Sequence, residues 1–538
     1  LALAYVFQNT LGALQCVLVY FIGRALCGRF AGLFAALFCA CYGMFIFYDN
    51  LLIYTSVALL MNSLFFLFVL RISGKMASAR DLLLAGMLLG LCVGVQAGVA
   101  AFGLMALLWI SWKGGENLFL KLKLSLSFFC GLGLIIAALA WMNYASDRNP
   151  AVISRNTGFN FYLGNNGQAT GSYYTPDLFT ANQEALYNEA RGSADMRSGK
   201  TLSPGEVSRY WFGESAGFIV REPLKYARLL WRKAALTFSA RELSCDPEYK
   251  FASAIPPVSW RFAGDLSLIM PLALIGFFLA PGLGKKVRLL YLAVLGFALN
   301  TIVFFVISKN RVMMVPYLCV FAGISLYYFR AWVKSRNYLK PLVFVAAFGI
   351  LYFFFHSFSA YADRLPAGPN SASEHFRQGL ECVEKADYDC ALRQFNSALQ
   401  SDPKNPRIMF SLGTVYYELG DYEKAEEQFA NALKKSPFYS DAYYNLGYMY
   451  NRLGRYADAA AVLNKGLGYI QDDAGLYFEL ACAYQGLGEF AKAKSGLISA
   501  LGMVRRWQPE KRSAIESKLK EIEDASGSDI PGGADGLR

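Results

Sequence analysis

The sequence predicts an all-α-dominated chain in three parts: a polytopic transmembrane helical bundle, a mixed extracytoplasmic loop domain and a C-terminal α-solenoid. Three observations carry this. Long apolar runs recur through residues 1–360, separated by short basic breaks. A stretch at 144–264 between two such runs has turn and helix signals of its own. A period of 34 residues runs through 372–507. Composition agrees: 55% of residues are hydrophobic, only 17% charged, and mean hydropathy is +0.30, where soluble chains carry about a quarter charged residues. The net charge of +12 averages two unlike parts. Residues 1–360 hold 31 basic and 15 acidic residues, and 361–538 hold 21 and 25. No concentrated basic stripe accompanies the excess, so nucleic acid is not an expected partner.

A membrane-crossing helix needs about 20 apolar residues. Ten runs qualify as spans: 1–23, 30–48, 51–70, 82–95, 98–112, 122–143, 265–282, 287–307, 312–332 and 340–359. The fourth and fifth are short and meet at Gln96-Ala97-Gly98, either as two spans or as a broken, re-entrant pair. Basic clusters at Arg24/Arg29, Arg71/Lys75/Arg80, Lys113/Lys121/Lys123, Lys285/Lys286/Arg288 and Arg330/Lys334/Arg336/Lys340 then all fall on one side. The positive-inside rule makes that side cytoplasmic. Residue 1, the loop 144–264 and the C-terminal region come to lie outside. Lys309 and Arg311 break the pattern as a basic pair at an outer helix end, either functional or snorkelling. An outward amino end at Leu1 leads us to expect at least one further span and outer loop upstream.

In the loop, Gly158 through Asn166 alternates aromatic and polar residues and then turns at Gly164-Asn165-Asn166-Gly167, an Asn-Gly turn signal. Ser203-Pro204-Gly205-Glu206 is a capping box with Pro at the first helical position. A second amphipathic helix is predicted over 223–240, with Lys225, Arg228, Arg232 and Lys233. Its Leu229, Leu230 and Trp231 suit a helix on the membrane surface or one packed on the rest of the loop.

Gly379, Gly413, Gly447 and Ala481 are spaced by 34, and Cys382, Tyr416, Tyr450 and Tyr484 lie three further on. Ala391, Ala425, Ala459 and Ala493 lie twelve on, followed by Phe395, Phe429, Leu463 and Leu497. Small residues let the two helices of a hairpin approach, and aromatics fill between hairpins. This pattern resembles the tetratricopeptide repeat, in four units over 372–507. A solubilising cap helix is expected at 508–525 and a disordered tail at 526–538. The resemblance implies that the first helix of each hairpin lines a concave face. That face would present Phe376, Phe410, Tyr417, Tyr444, Tyr448, Asn451 and Phe478 to a protein partner, or bury some of them between repeats.

The membrane part resembles the polytopic C-type glycosyltransferases, the superfamily of protein mannosyltransferases and aminoarabinose transferases, and within it the bacterial family-39-like members that end in tetratricopeptide repeats. The matching stretches are Phe47 through Ile53, Gly158 through Asn166 with Gly171-Ser172-Tyr173, Glu206 through Trp211, Lys233 through Glu242, and Lys309-Asn310-Arg311 leading to Pro316 through Gly323. The resemblance implies a bacterial inner-membrane protein whose loop 144–264 and repeats face the periplasm. It implies transfer of a sugar from a polyprenyl-phosphate carrier, with a divalent metal as an optional aid. A carboxylate would act as base, Asp49 or Glu242, with Asp246 near it. Lys309 and Arg311 would hold the phosphate leaving group. Asn160, Asn165 and Asn166 would bind sugar hydroxyls or serve as turn residues. Relatives carry their principal catalytic acid in a first outer loop that precedes Leu1, an Arg where Gln96 stands, and an aromatic where Asn310 stands. These departures open the second reading, a transferase fold kept as a membrane scaffold with the repeats as docking arm.

Other chemistry is excluded more simply. His356 and His375 are the only histidines, so no His-based triad, zinc site or haem ligation is expected. Phosphate-loop glycine patterns are missing. Seven of the 11 cysteines lie in the apolar part as small apolar residues, while Cys245, Cys382, Cys390 and Cys482 would face an oxidising periplasm. Cys382 and Cys390 sit in adjacent helices of one hairpin, free or paired.

Overall fold

The computed structural model describes residues 2–49, 54–73, 77–113, 118–147, 157–172, 183–239, 266–336, 338–364, 371–470, 473–504 and 509–525. Among them every regular element is helical. The mixed loop domain expected from the sequence is thereby corrected: the described part of the loop is helical apart from an isolated bridge between Ser172 and Val306. The chain divides into two units. One comprises Leu1–Tyr174 with Phe212–Pro366, the other Thr175–Trp211 with Ala367–Arg538. The stretch 144–264, read from the sequence as one domain, contributes to both.

The first unit holds α1 (Ala2–Cys27), α2 (Arg29–Cys41), α3 (Gly43–Asp49), α4 (Thr55–Ile72), α5 (Ala79–Val95), α6 (Ala100–Lys113), α7 (Leu118–Asp147) and α8 (Thr157–Gly164). Helix α9 (Gln183–Ser198) belongs to the second unit, and α10 (Pro204–Arg221) runs from the second into the first. The first unit continues with α11 (Pro223–Phe238), α12 (Leu266–Leu279), α13 (Arg288–Val303), α14 (Ser308–Arg311), α15 (Val315–Lys334) and α16 (Leu339–Arg364). Seven stretches among the described residues are long and apolar enough to cross a membrane: Tyr5–Cys27, Thr55–Ile72, Phe119–Ala145, Leu266–Leu283, Lys285–Val303, Ser308–Lys334 and Leu339–Phe358. Three expected spans are shorter or broken. The run 30–48 is interrupted at Tyr42, whose backbone is extended (φ −75°, ψ 117°). The short pair is broken at Gln96 (φ −151°, ψ 108°), followed by a single 3₁₀ turn at Ala97–Val99. Each extended residue ends the run of backbone hydrogen bonds that an apolar helix needs in place of water.

Within this unit Gln8 Nε2 donates to Ser56 Oγ at 3.4 Å and Gln15 Nε2 to Ser63 Oγ at 2.9 Å. Both pairs are 48 residues apart, so α1 and α4 run parallel, and α2 with α3 returns the chain between them. Polar residues seven apart in apolar helices fall on one face, and here they meet each other. Helices α5 and α7 touch backbone to backbone: a Cβ added to Gly86 would lie 2.0 Å from the Phe128 carbonyl oxygen, and one added to Gly131 would lie 2.1 Å from that of Leu83.

The second unit is built of helical hairpins: α17 (Ser371–Glu384) with α18 (Tyr388–Ser401), α19 (Pro406–Glu418) with α20 (Tyr422–Lys435), α21 (Ser440–Arg452) with α22 (Tyr456–Tyr469), and α23 (Ala474–Gly486) with α24 (Phe490–Met503). The 34-residue columns explain the packing. Gly379, Gly413 and Gly447 face Phe395, Phe429 and Leu463, and a Cβ on any of them would overlap the opposing side chain. The hairpin turns repeat too: Gly420, Gly454 and Gly488 have φ of 78°, 72° and 75°, and Ala386 occupies the same place at 55°. Cys382 and Cys390, on either side of that Ala386 turn, are joined by a disulfide. Helix α25 (Pro509–Ala525) covers the last hairpin with Ile515 and Ile522, and Lys494 pairs with its Glu523 at 2.6 Å.

Candidate functional site

The candidate residues fall into three places. The first is the opening turn of α4. Asp49, the last residue of α3, accepts a hydrogen bond from Ser56 Oγ at 2.6 Å. Lys309 Nζ lies 4.3 Å from the ring centre of Tyr54. Tyr54 and Ser56 thus bring a predicted base and a predicted phosphate ligand to one helical turn, although 260 residues of chain separate the two in sequence. Beside Asp49 is a cavity of about 190 Å³ lined by Gly12, Gln15, Cys39, Phe45, Asp49 and Ser56 among others. Gly12 makes the room: a Cβ there would lie 1.9 Å from Asp49 Oδ2. Gln15 Oε1 is buried without a hydrogen-bond partner. Ala13, Ala40 and Ile46 also line the cavity and are exposed, so it opens sideways between α1 and the α2–α3 segment.

The second place is the C-terminal end of α11. Arg311 is buried, and its Nη1 donates to the Leu236 carbonyl at 3.2 Å and the Ser239 carbonyl at 2.9 Å. In this geometry the guanidinium caps the carbonyl end of a helix, where a cation also meets the negative end of the helix dipole. One turn earlier, Lys233 is fully buried. Its Nζ donates to Asn165 Oδ1 at 2.8 Å and to the Phe304 carbonyl at 2.6 Å. Burial pushes its ammonium down to about 7, and a neutral amine has two N–H groups for these two acceptors.

Asn165 and Asn166 also return their amides to the carbonyls of Phe161 and Tyr162. They therefore close the last turn of α8 and link it to α11. This local bonding explains why Gly158 through Gly164 is helical despite its alternating pattern. Phe159 and Leu163, four apart, supply its buried face. Asn160 sits half-buried on α8. Glu242 and Asp246 lie outside the described residues. Among the described residues no group of three or more His, Cys, Asp or Glu side chains is placed to hold a metal.

The third place is the row of first helices in the hairpins. Tyr448 stacks on Tyr444 with ring centres 6.3 Å apart and planes 3° from parallel, and its ring lies 6.2 Å from Tyr417. Tyr444 is exposed, and Tyr417 and Tyr448 are half-buried. One turn further, Asn451 Nδ2 donates to the carbonyl oxygen of Glu479 at 2.9 Å and to its Oε2 at 3.0 Å. Burial raises the Glu479 carboxyl above its ordinary value and pushes Tyr444 up to about 12. Phe376 and Phe410 turn instead toward the second helices, with ring centres 5.4 Å from Phe395 and 5.7 Å from Phe429. Phe478 packs half-buried beside the last hairpin's core. Of the seven predicted groove residues, Tyr444 is exposed and the other six are half-buried, with Phe376 and Phe410 directed toward the second helices.

A family model described as the tetratricopeptide repeat matches residues 376–429 and 411–474. The C-terminal region carries tetratricopeptide repeats. Among solved structures, MamA protein aligns at 21% identity over 29% of this chain and 86% of its own, with a TM-score of 0.25. MamA from Desulfovibrio magneticus RS-1 aligns at 21% identity over 30% and 98%, with a TM-score of 0.24. A thermophilic tetratricopeptide repeat protein of Thermus thermophilus, TTC0263, aligns at 26% identity over 29% and 83%, with a TM-score of 0.25. No curated protein matches the chain.

The repeats also hold a segment that sequence reasoning left in the loop. Glu189 of α9 is fully buried, and its Oε1 accepts the Ser440 backbone N–H, at the start of α21, at 2.8 Å. Gly192 lies against the Phe438 ring, and Trp211 Nε1 donates to the Ala190 carbonyl at 3.1 Å. A signal existed: the small residues Ala190, Gly192, Ser193 and Ala194 mark a close-packing face.

Proposed function

We propose that this protein is a membrane-anchored docking subunit: the apolar bundle is the anchor, and the tetratricopeptide repeats bind a protein partner. The observation that carries this reading is the Tyr417–Tyr448–Tyr444 row on the first helices of the repeats. Rigid aromatics held at fixed spacing, with exposed area, are what protein interfaces use as anchors. The buried Arg311 and Lys233 support it from the other side, because both hold helices together instead of facing a ligand. In this reading the protein sits in a bacterial inner membrane with the repeats on the periplasmic side. Deletion of 371–525 is the test. The shortened chain should remain in the membrane fraction while its partner is lost from the purified complex; retention of the partner would sink the reading.

One observation favours a second reading, a transferase that takes a sugar from a polyprenyl-phosphate carrier in the manner of family-39-like enzymes. Asp49 and Lys309 share the opening turn of α4 beside a side-opening cavity, with a carboxylate as base and a cation for phosphate. Asp49→Asn and Lys309→Ala would then each abolish glycan transfer with the repeats intact. Unchanged transfer in both would remove this reading.

A further inference from the structure

Helix α11 has two faces. Leu229, Lys233 and Leu236 are buried in the first unit. On the opposite side Leu224 and Trp231, seven residues apart, are 77% and 65% exposed, and Ala227 and Arg228 between them are exposed as well. Val220, at the end of α10, is 79% exposed and extends the patch. The basic groups beside it are Arg221, Lys225 and Arg228. The acidic one is Glu222, 3.2 Å from Lys225, so the patch keeps a positive excess.

The height of the helix relative to the spans is fixed by two of its bonds. Lys233 Nζ grips the carbonyl of Phe304, the residue after the span Lys285–Val303. Arg311, which caps α11, lies in the first turn of the span Ser308–Lys334. The C-terminal half of the helix is therefore held where two helices long and apolar enough to cross a membrane end, which is the headgroup level. A helix there with Leu and Trp outward and basic side chains around them fits an interfacial anchor.

We propose that the Val220–Leu224–Trp231 face of α11 inserts into the headgroup layer and that Arg221, Lys225 and Arg228 select anionic phospholipid. This refines the sequence expectation, since the lipid-facing residues are Leu224 and Trp231, while Leu229 faces the protein. It stands independently of what the repeats bind.

The test is Trp231 fluorescence in proteoliposomes of the full chain. Phosphatidylglycerol brominated high on its acyl chains is mixed into phosphatidylcholine. The Trp231 signal is taken as the difference between the wild-type protein and Trp231→Phe, a change at an exposed position. The expected result is a blue-shifted component quenched by the brominated lipid. Replacing Lys225 and Arg228 with Gln should lower quenching by the anionic lipid by up to about fivefold for each charge removed. A Trp231 component in water-like surroundings, or a blue-shifted one untouched by bromine because protein covers it, would overturn the proposal.

Discussion

Arg311 donates to the Ser239 carbonyl at 2.9 Å across 72 residues of chain, and so closes the end of α11 from the first turn of a helix long and apolar enough to cross a membrane. Replacing it with Ala takes away the donor of the buried Ser239 carbonyl, a loss of roughly 1–3 kcal/mol, while the Leu236 carbonyl keeps the Ser239 hydroxyl at 3.0 Å. Arg311→Ala should lower thermal stability in detergent sharply. Arg311→Lys should fall between, since an ammonium on a shorter side chain reaches the carbonyls that Nη1 serves less closely. A fully stable Ala variant would show that the capping bonds are dispensable.

Lys233 provides a pH signature. Its native pKa, about 7, lies below the ordinary 10.5. Between those values the unfolded chain binds the proton and the native one does not. Below about pH 7 both forms are protonated and the cost of burying the charge is fully present. As pH rises from 7 toward 10.5 that cost is relieved, so stability rises. Relative to Lys233→Met, the wild type should gain stability with a slope approaching ~1.4 kcal/mol per pH unit inside the window. A flat difference between the two proteins over pH 7–10 would refute the neutral, two-donor amine.

Gly12 and Asp49 predict a coupled pair. Gly12→Ala places a methyl group onto the carboxylate and should cost about 1–3 kcal/mol by overpacking. In an Asp49→Ala background the same change should cost little, because the overlap is gone. Thermal melts of the four proteins in a double-mutant cycle measure this coupling, and additive effects would contradict the packing.

Ala386 is the odd member of its column. An L-residue at φ 55° carries strain that glycine does not, and the equivalent positions are Gly420, Gly454 and Gly488. Ala386→Gly should raise the stability of the first hairpin by roughly 0.5–1 kcal/mol despite the extra freedom of the unfolded chain. Hydrogen exchange of the α17 and α18 amides would report it as slower opening.

Much of this architecture is legible in the sequence, and the limits are physical. The 34-residue columns specify the hairpins because each column is a steric requirement, as Gly413 against Phe429 shows. The long apolar runs reveal helices because an apolar environment leaves the backbone no other partner. The break at Gln96 falls at the Gln96-Ala97-Gly98 junction that the sequence marks, whereas the break at Tyr42 is harder to read, since Tyr is no helix breaker and hydropathy does not register a change in ψ. The acceptors of Arg311 and Lys233 are not legible, since sequence shows that a charge is present and is silent on which acceptors reach it. Phe376, Phe410 and Phe478 follow the groove pattern by position, but only packing tells a ring that fills a hairpin from one that faces outward. The gathering of Gln8, Gln15, Ser56 and Ser63 is missing from the sequence reading, although polar residues seven apart in two apolar helices are a signal for it.

The central claim is that the Tyr417–Tyr448–Tyr444 face of the repeats receives a protein partner. The most direct measurement is photo-crosslinking in cells from a benzophenone amino acid in place of Tyr448, compared with one at Glu427 on the second helix of a hairpin, which is exposed. The expected result is one discrete heavier species from position 448, absent from 427 and lost when Tyr417 and Tyr444 are changed to Ala. No adduct at 448, or the same adduct from 427, would contradict it.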